Sequence, residues 1–372
     1  MNEETSRSAP AARSALGGFD FLKGLTMLMI VVYHTAELFT FVPGSLIARI
    51  QYFCDNTFSA GVNAAFFIIG GYSLRKRPVK KMLVSQWNNL KWPYILTGLA
   101  RTGLLVVVNY LFFHGALGAM AEGVRSLGGF LLALNTSIPI GGFLVYHAGP
   151  MWFLISMAAG LCYLNAVLNY VPEKWVTPVI IGIFLLYEAL TPVETIYAFC
   201  LFLGLYACCC CYIGYLLKQK KLFQGGKRLT KQGLLLSAIL FAAYFLLTPT
   251  GIEDRFLEKL GVYSFAYFDL LYTLWGVALC LLFVNVSSEK SKLVEGICIL
   301  GRYSMYIFCA HTVELMAFPW YLEVEKFRDQ PVLGFVIQLT LRFLLIAIFS
   351  LLIHFGTHLP DSVQEKLRLK RQ

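Results

Sequence analysis

Charged residues are scarce in this sequence: Asp, Glu, Lys and Arg make up only 14% of its 372 residues. A soluble globular chain carries about 25%, because its surface must face water. Hydrophobic residues make up 58%, in blocks of about 18 to 22 residues, long enough to cross a ~30 Å hydrocarbon core as a helix. The composition therefore argues against a soluble enzyme and predicts an all-α, polytopic transmembrane helical bundle.

The ten cysteines lack the arrangement of a disulfide framework. Most lie within apolar blocks, including the run Cys208 to Cys211, and only Cys54 falls in a predicted outer loop. Disulfide-stabilised domains instead carry paired cysteines in loops that face an oxidising compartment. We expect the run to pack as small apolar side chains, and S-acylation near a cytoplasmic helix end is the alternative.

The sequence also shows no secretory signal, since its first apolar run is long and no small-residue cleavage site follows it. We predict a disordered cytoplasmic tail at 1–18, a transmembrane domain at 19–358 and a basic cytoplasmic tail at 359–372. The longest outer loop, 115–149, is expected to hold an interfacial helix or a re-entrant segment. About ten spans are predicted, at 20–42, 57–74, 92–114, 150–169, 175–190, 194–217, 232–248, 264–285, 297–318 and 331–356.

The distribution of basic residues gives an orientation. With ten spans, the side that holds both termini carries 23 of the 31 Lys and Arg residues, mainly in the 75–91 and 218–231 loops. The positive-inside rule makes this side cytoplasmic and predicts a multi-pass protein of the cell membrane, N-in and C-in. The net charge of +10 thereby reflects topology, and no nucleic-acid partner is expected.

Eight ionisable residues lie well inside the predicted spans, where each costs about 2.5–3.5 kcal/mol on insertion scales. Counting from the span ends at ~1.5 Å per residue places the two histidines at a common level near the midplane, with both arginines at a similar depth. Asp269 and Glu188 lie nearer the outer face. The eight are His34, Glu37, Arg101, Glu188, Asp269, His311, Glu314 and Arg342.

Two of these segments share the pattern His-Thr-x-Glu: His34 with Glu37, and His311 with Glu314. At this i,i+3 spacing a carboxylate can reach the imidazole and fix its tautomer. The simpler interpretation is that each pair neutralises itself and joins two helices. A metal site of two His and two Glu is disfavoured, because the di-iron bundle signature runs Glu-x-x-His with further carboxylates.

Lys23 and His34 are eleven positions apart, so both project from one face of a helix. Lys23 would lie at the cytoplasmic mouth and His34 about 16 Å deeper. This geometry suits a molecule with an anionic head at the mouth and a thin arm that reaches inward. Snorkelling of Lys23 at a span end is the alternative.

Five short motifs occur in order along the chain and together resemble the membrane-bound acyltransferase-3 family. The similarity extends over about residues 18 to 356. The sequence departs from the usual family pattern at three positions, with Lys23 in place of Arg, Gly70 in place of Ser and Phe308 in place of Tyr. The motifs are Lys23 with His34, Phe66-Phe67-Ile-Ile-Gly70-Gly71-Tyr72 followed by Arg75, Lys91-Trp-Pro93-Tyr94, Met151-Trp152-Phe153-Leu154, and Gly301-Arg-Tyr-Ser304 through His311.

The resemblance implies an O-acyltransferase that moves an acyl group, often acetyl, from cytoplasmic acyl-CoA to a hydroxyl of a sugar, glycan or lipid-linked acceptor. Acyl-CoA would be a co-substrate, with no permanently bound cofactor and no metal. The CoA phosphates need a basic surface, which Lys23, Arg75, Lys76 and Arg77 could supply. Lys80 and Lys81 are better explained as topogenic charge.

For the chemistry, we predict that His34 acts as general base on the acceptor hydroxyl or carries the acyl group briefly, with Glu37 orienting it. Arg101 or Arg342 would stabilise the oxyanion. The remaining candidates, which would bind the acceptor or support the site, are Ser304, His311 and Glu314.

Two other classes stay open at this point. One is a transporter or flippase of a glycan or lipid precursor, in which His and Glu form a proton relay. The other is a structural or sensory membrane protein, which leaves the Lys23–His34 spacing and the buried arginines unexplained. Longer relatives carry a further extracytoplasmic domain after the last span. Because no such domain is expected from this sequence, we expect the transmembrane domain to act alone, as a homodimer or with a separate extracytoplasmic partner.

Overall fold

The computed structural model describes residues 10–42, 44–54, 62–113, 115–190, 200–220, 223–224, 228–229, 231–247, 264–284 and 291–369. Helices account for most of this part of the chain. They are α1 (Pro10–Ala36), α2 (Leu46–Cys54), α3 (Val62–Ser73), α4 (Val79–Phe112), α5 (Ala116–Leu131), α6 (Trp152–Tyr170), α7 (Glu173–Leu190), α8 (Leu203–Gln219), α9 (Lys231–Leu247), α10 (Ser264–Phe283), α11 (Lys292–Arg302), α12 (Ser304–Ala317), α13 (Tyr321–Val324) and α14 (Pro331–Leu369).

Two short antiparallel hairpins and two 3₁₀ turns complete the described structure. Strand β1 (Ile138–Ile140) pairs with β2 (Phe143–Val145) in the segment between α5 and α6, and β3 (Phe223–Gln224) pairs with β4 (Arg228–Leu229). The 3₁₀ turns are Gly149–Met151, which leads into α6, and Glu325–Phe327, which follows α13.

Four helical stretches in the described part are long and apolar enough to cross a membrane: Gly18–Ala36, Val79–Phe112, Gly149–Tyr170 and Pro331–Gly356. The pair α11 and α12 passes the same test if it is counted as one span, but it bends by 71°. The sequence pattern indicated a single continuous span at 297–318, so the break is a correction. The chain turns at Tyr303, and α12 starts afresh at Ser304.

Helix ends differ from the predicted boundaries at both termini. Helix α1 begins at Pro10, inside the segment 1–18, and α14 continues to Leu369, inside 359–372. Residues 1–9 and 370–372 lie outside the described residues.

Glycines allow α1 and α11 to pack with their backbones in contact. A Cβ atom on Gly301 would lie 1.7 Å from the carbonyl oxygen of Asp20, and one on Gly24 would lie 2.0 Å from that of Ile297. Real side chains cannot approach so closely, so only glycine fits at these positions. The contact fixes α11 along the first half of α1.

The cysteine run lies in a similarly close contact. Cys208 to Cys211 are all buried and free, and their helix α8 packs between α3 and α6. Gly71 of α3 faces the carbonyl of Cys211, and Gly214 of α8 faces that of Ile68. The run therefore packs as small side chains in a helix interface, as expected from its apolar surroundings.

Within the segment 115–149, α5 lies against α4 and exposes an apolar face. Leu117, Met120, Val124 and Leu131 are all exposed. Such a face, at helical spacing on a short helix, is typical of a segment that lies in the membrane interface. The segment 115–149 thus contains a helix with an exposed apolar face, and its place in the membrane interface stays a prediction.

Candidate active site

The imidazole rings of His34 and His311 lie side by side in the helical bundle. Their centroids are 5.5 Å apart, with an angle of 31° between the ring planes. His34 comes from the last turn of α1, and His311 from the middle of α12. Because α12 and α1 also pack against α14, three helices meet around this pair.

His311 belongs to a buried hydrogen-bonded network. Its Nδ1 lies 2.6 Å from Oε1 of Glu314, which accepts the hydrogen bond. The other carboxylate oxygen, Oε2, accepts a 2.9 Å hydrogen bond from the indole nitrogen of Trp320 and lies 3.8 Å from Nε of Arg342. Glu314 is fully buried, so these contacts compensate for removing its charge from water.

The second histidine and its carboxylate are less enclosed. Nδ1 of His34 lies 3.3 Å from Oε2 of Glu37, and the two side chains are 30% and 52% exposed. The corresponding values for His311 and Glu314 are 5% and 0%. The pair of histidines thus has one member that a reactant can reach and one that is fixed behind it.

Several polar atoms beside the pair have no hydrogen-bond partner among the described residues. They include Nε2 of His311 and both Nε and Nη1 of Arg342. Since Nδ1 of His311 donates to Glu314, the opposite nitrogen, Nε2, is the acceptor of a neutral ring. An unpaired acceptor and unpaired guanidinium donors in one buried site can bind a reactant and a developing negative charge.

Arg101 has a different partner, outside the hydrogen-bonded network of the histidine pair. Its Nη2 donates a 3.0 Å hydrogen bond to the carbonyl oxygen of His147, which connects α4 to the segment before α6. The backbone N–H of Gly149 donates to Nδ1 of the same histidine at 3.0 Å. Burial, and then the charge of Arg101, lower the pKa of His147. Arg101 therefore anchors the connection between α5 and α6, and the described contacts do not bring it to the histidine pair.

Two more predicted residues also lie apart from the histidines. Ser304 opens α12, two helical turns or about 10 Å along the axis from His311. Lys23 forms a 2.6 Å ion pair with Asp20 near the start of the span. The nearby Phe19 packs edge-on against Tyr72 at 5.2 Å, so this part of α1 and the end of α3 lie at the same end of the bundle.

The basic segment after α3 is held by buried and partly buried amides of α6. Asn165 accepts a 3.0 Å hydrogen bond from the backbone N–H of Arg77 and donates a 2.9 Å bond to its carbonyl. Asn169 donates to the same carbonyl. Lys218 of α8 donates to the carbonyl of Leu74 at 3.0 Å. Arg75, Lys76 and Arg77 are exposed, so a fixed backbone presents three cations to solvent.

An open groove of about 610 Å³ lies along the first turns of α4. Lys80, Lys81, Ser85 and Asn88 line it, and Ser85 also accepts a 3.2 Å hydrogen bond from Nη1 of Arg77. In the sequence pattern nothing separates these two lysines from ordinary topogenic charge. Their place in a groove beside Arg77 is a feature that only the structure shows.

Trp320 and Gln338 were missed by the sequence reasoning. Gln338 donates to the backbone carbonyl of Trp320 at 3.1 Å, and Trp320 donates to Glu314. The sequence pattern did point to Gln338, a polar residue in a mostly apolar span. It stands four residues before Arg342 and so shares its helix face. Trp320 gave none, because it follows Pro319 beyond the end of α12.

Comparison with known proteins gives a family for nearly the whole chain. A family model described as an acyltransferase domain, that of the acyltransferase-3 family, matches residues 16–357. No curated protein and no solved structure matches the chain significantly. The matched region includes His34, His311, Glu314 and Arg342. The chain belongs to the acyltransferase-3 family.

Proposed function

We propose that this protein is an integral membrane O-acyltransferase that uses cytoplasmic acyl-CoA, with acetyl-CoA as the donor, and a hydroxyl of a sugar, glycan or lipid-linked acceptor. The observation that carries the proposal is the His34–His311 pair, in which each ring contacts a carboxylate and Arg342 lies alongside. We further propose ten spans in the cell membrane, with both termini in the cytoplasm.

In this proposal His34 is the general base, because it is the more exposed ring of the pair. It removes the proton from the acceptor hydroxyl while the oxygen attacks the thioester carbonyl carbon. The carbon–sulfur bond then breaks, and the proton on His34 passes to the departing CoA thiolate. An ester and free CoA are the products, so no oxidant or reductant is consumed.

Three buried residues next to His34 support that step: His311, Glu314 and Arg342. His311 is fixed by Glu314 and leaves Nε2 unpaired, which lets it accept a hydrogen bond from the acceptor or share the proton held by His34. The free Nη1 of Arg342 is the donor for the oxyanion of the tetrahedral intermediate. Glu37 orients His34 through a 3.3 Å contact. Because this contact is longer than the 2.6 Å contact between Glu314 and His311, we expect Glu37 to contribute less to catalysis than Glu314.

The donor would bind at the basic end of the bundle. Arg75, Lys76 and Arg77 are held there on a fixed backbone, and the adjoining groove adds Lys80 and Lys81. Together they provide the positive charge that the phosphates of CoA require. Lys23 lies at the same end of α1, where its ion pair with Asp20 would exchange for a phosphate.

The test is a thioester assay on purified protein in detergent. Incubation with labelled acetyl-CoA and a membrane extract as acceptor should release CoA thiol and transfer label, and His34→Ala should abolish both while expression stays normal. Near-normal activity of His34→Ala would exclude the proposed role. If the protein is instead a transporter, thiol release will be absent and transport will respond to a proton gradient.

The acceptor can be found by comparison of a deletion strain with its parent. Mass spectrometry of surface glycans and lipids should show a loss of mass equal to one acyl group on one class of molecule. Complementation with His34→Ala should fail to restore that mass.

A further inference from the structure

A second cavity lies apart from the histidine pair. Its volume is about 280 Å³. None of the described residues that line it belongs to α1, α12 or α14, the helices that carry His34, His311 and Arg342. Five aromatic side chains and one carboxylate, contributed by α3, α6, α7, α8 and α10, dominate the lining. They are Phe67, Trp152, Tyr187, Tyr206, Tyr272 and Asp269.

Contacts around Asp269 fix the shape of this cavity. The hydroxyl of Tyr187 hydrogen-bonds to the Asp269 carboxylate. Tyr206 and Thr273 pair through their hydroxyls at 2.9 Å, and Thr273 donates to the backbone carbonyl of Asp269 at 2.7 Å. The rings of Tyr187 and Tyr206 stack at 5.6 Å between centroids. Two aromatic walls are therefore held in place without a ligand.

The cavity is electrostatically negative. Asp269 is the only charged side chain among its described lining residues. Glu188 is close enough to interact electrostatically with Asp269, and its Oε1 is buried without a hydrogen-bond partner in the described part of the chain. Neither carboxylate forms an ion pair with a basic residue there. A cationic ligand in the cavity would compensate the charge of Asp269, the carboxylate that lines it.

The lining also distinguishes between ligand chemistries. A sugar carries several hydroxyls, each of which needs a partner when it is buried. Besides the tyrosines and the indole of Trp152, the polar side chains among the described lining residues are those of Asn63 and Asp269. A methylated ammonium group needs no hydrogen bonds. It is stabilised by aromatic faces through cation–π attraction and by a nearby carboxylate. The aromatic, negative lining fits the second chemistry better.

We propose that this cavity binds a small methylated ammonium group, with Asp269 as its counter-ion and the aromatic side chains as its enclosure. The ligand is either a free cation of the choline type or the headgroup of a membrane lipid. This site is independent of the proposed acyl transfer, since it shares no residue with the histidine pair.

The probe for the test is tetramethylammonium chloride, added to the purified full-length protein in dodecyl maltoside. Saturation-transfer NMR should show its methyl protons receiving magnetisation from the protein. Asp269→Asn should weaken binding at least tenfold, whereas the control Glu295→Gln, which neutralises an exposed carboxylate on α11, should leave it unchanged. No transfer at ~10 mM probe, a concentration that fills even a millimolar site, would overturn the proposal.

Tyr272 gives a second, milder test that does not alter the charge. Tyr272→Phe keeps the ring and should retain binding, while Tyr272→Leu removes it and should weaken binding about fivefold, the size of one cation–π contact. Equal affinity in both variants would contradict the aromatic enclosure. His34→Ala should bind the probe normally, so failure of the acyltransferase proposal would leave this result intact.

The two sources of the ligand are separated in nanodiscs. If a lipid headgroup is the natural occupant, phosphatidylcholine discs should weaken the probe's apparent affinity relative to phosphatidylglycerol discs. If a free cation is the occupant, soluble choline should compete equally in both.

Discussion

The guanidinium of Arg342 lies over the indole ring of Trp320, with its Cζ 4.9 Å from the ring centroid. The same arginine faces Glu314, and Trp320 donates its N–H to that carboxylate. One aromatic ring therefore contacts both members of a buried ion pair. This arrangement holds the cation beside His311 and Glu314 even though part of its guanidinium is left unpaired.

Loss of Arg342 should strongly destabilise the protein. Arg342→Met leaves the fully buried charge of Glu314 without its cation, which costs about 3–5 kcal/mol in comparable buried pairs. Thermal unfolding in detergent would show this as a lower midpoint. Adding Glu314→Gln to the same chain should recover part of the loss. As a matched control, Lys326→Met breaks an exposed pair with Glu323 and should cost under ~1 kcal/mol; equal effects of the two methionine variants would contradict the buried network.

The two carboxylates should differ in their effect on acyl transfer. Glu314→Gln disrupts a buried 2.6 Å contact and should lower kcat about 100-fold, within the range of general acid–base contributions. Glu37→Gln disrupts a partly exposed 3.3 Å contact and should lower it by about tenfold or less. Rates of CoA release at saturating acetyl-CoA would measure both. A larger loss of kcat for Glu37→Gln than for Glu314→Gln would contradict the prediction that Glu314 is the more important carboxylate.

Protonation of His147 should destabilise the connection between α5 and α6. Its folded-state pKa is lowered by burial and by Arg101, below the unfolded value of about 6.5. The unfolded chain then binds more protons in acid, so stability is full above pH ~6.5 and falls as the pH drops toward the folded pKa. His147→Asn retains an acceptor for the N–H of Gly149 but cannot titrate. The midpoint of thermal unfolding, measured from pH 7.5 to 5, should fall less steeply for this variant than for the unmodified protein. Identical slopes for the two proteins would refute the effect.

The contact between α1 and α11 should tolerate no side chain. Gly301→Ala places a Cβ 1.7 Å from a backbone oxygen of Asp20, so the helices must separate and the yield of folded protein should drop. Gly103→Ala is the control, because a Cβ there meets nothing within 4 Å in the described structure. That change should be neutral or stabilise by up to ~1 kcal/mol through helix propensity. Size-exclusion chromatography of the two variants tests the contact.

Depth counting along the sequence brought His34 and His311 to one level, and the structure places them 5.5 Å apart. The same counting put Arg101 at that level too, yet Arg101 turns to the carbonyl of His147. The reason is that position along a span gives height in the membrane and says nothing about the direction in which a side chain points. Direction depends on how the helices pack around one another.

The break at Tyr303 could not be predicted from the sequence pattern either. Hydropathy is continuous through 297–318, whereas the structure has two helices at 71°. The cause lies in tertiary packing, because Gly301 is pressed against Asp20 of α1 while α12 packs with α4 and α14. The His-Thr-x-Glu patterns, by contrast, were readable because their partners are three residues apart, and local spacing needs no tertiary information.

The burial of the cysteines makes the orientation in the membrane directly measurable. Eight of the ten native thiols are buried, and only Cys162 and Cys298 are partly accessible. Once those two are replaced by serine, a single cysteine introduced into any loop would be the one thiol open to a membrane-impermeant maleimide. Labelling of intact cells against inverted vesicles would then assign each loop to a side, and with it the number of crossings.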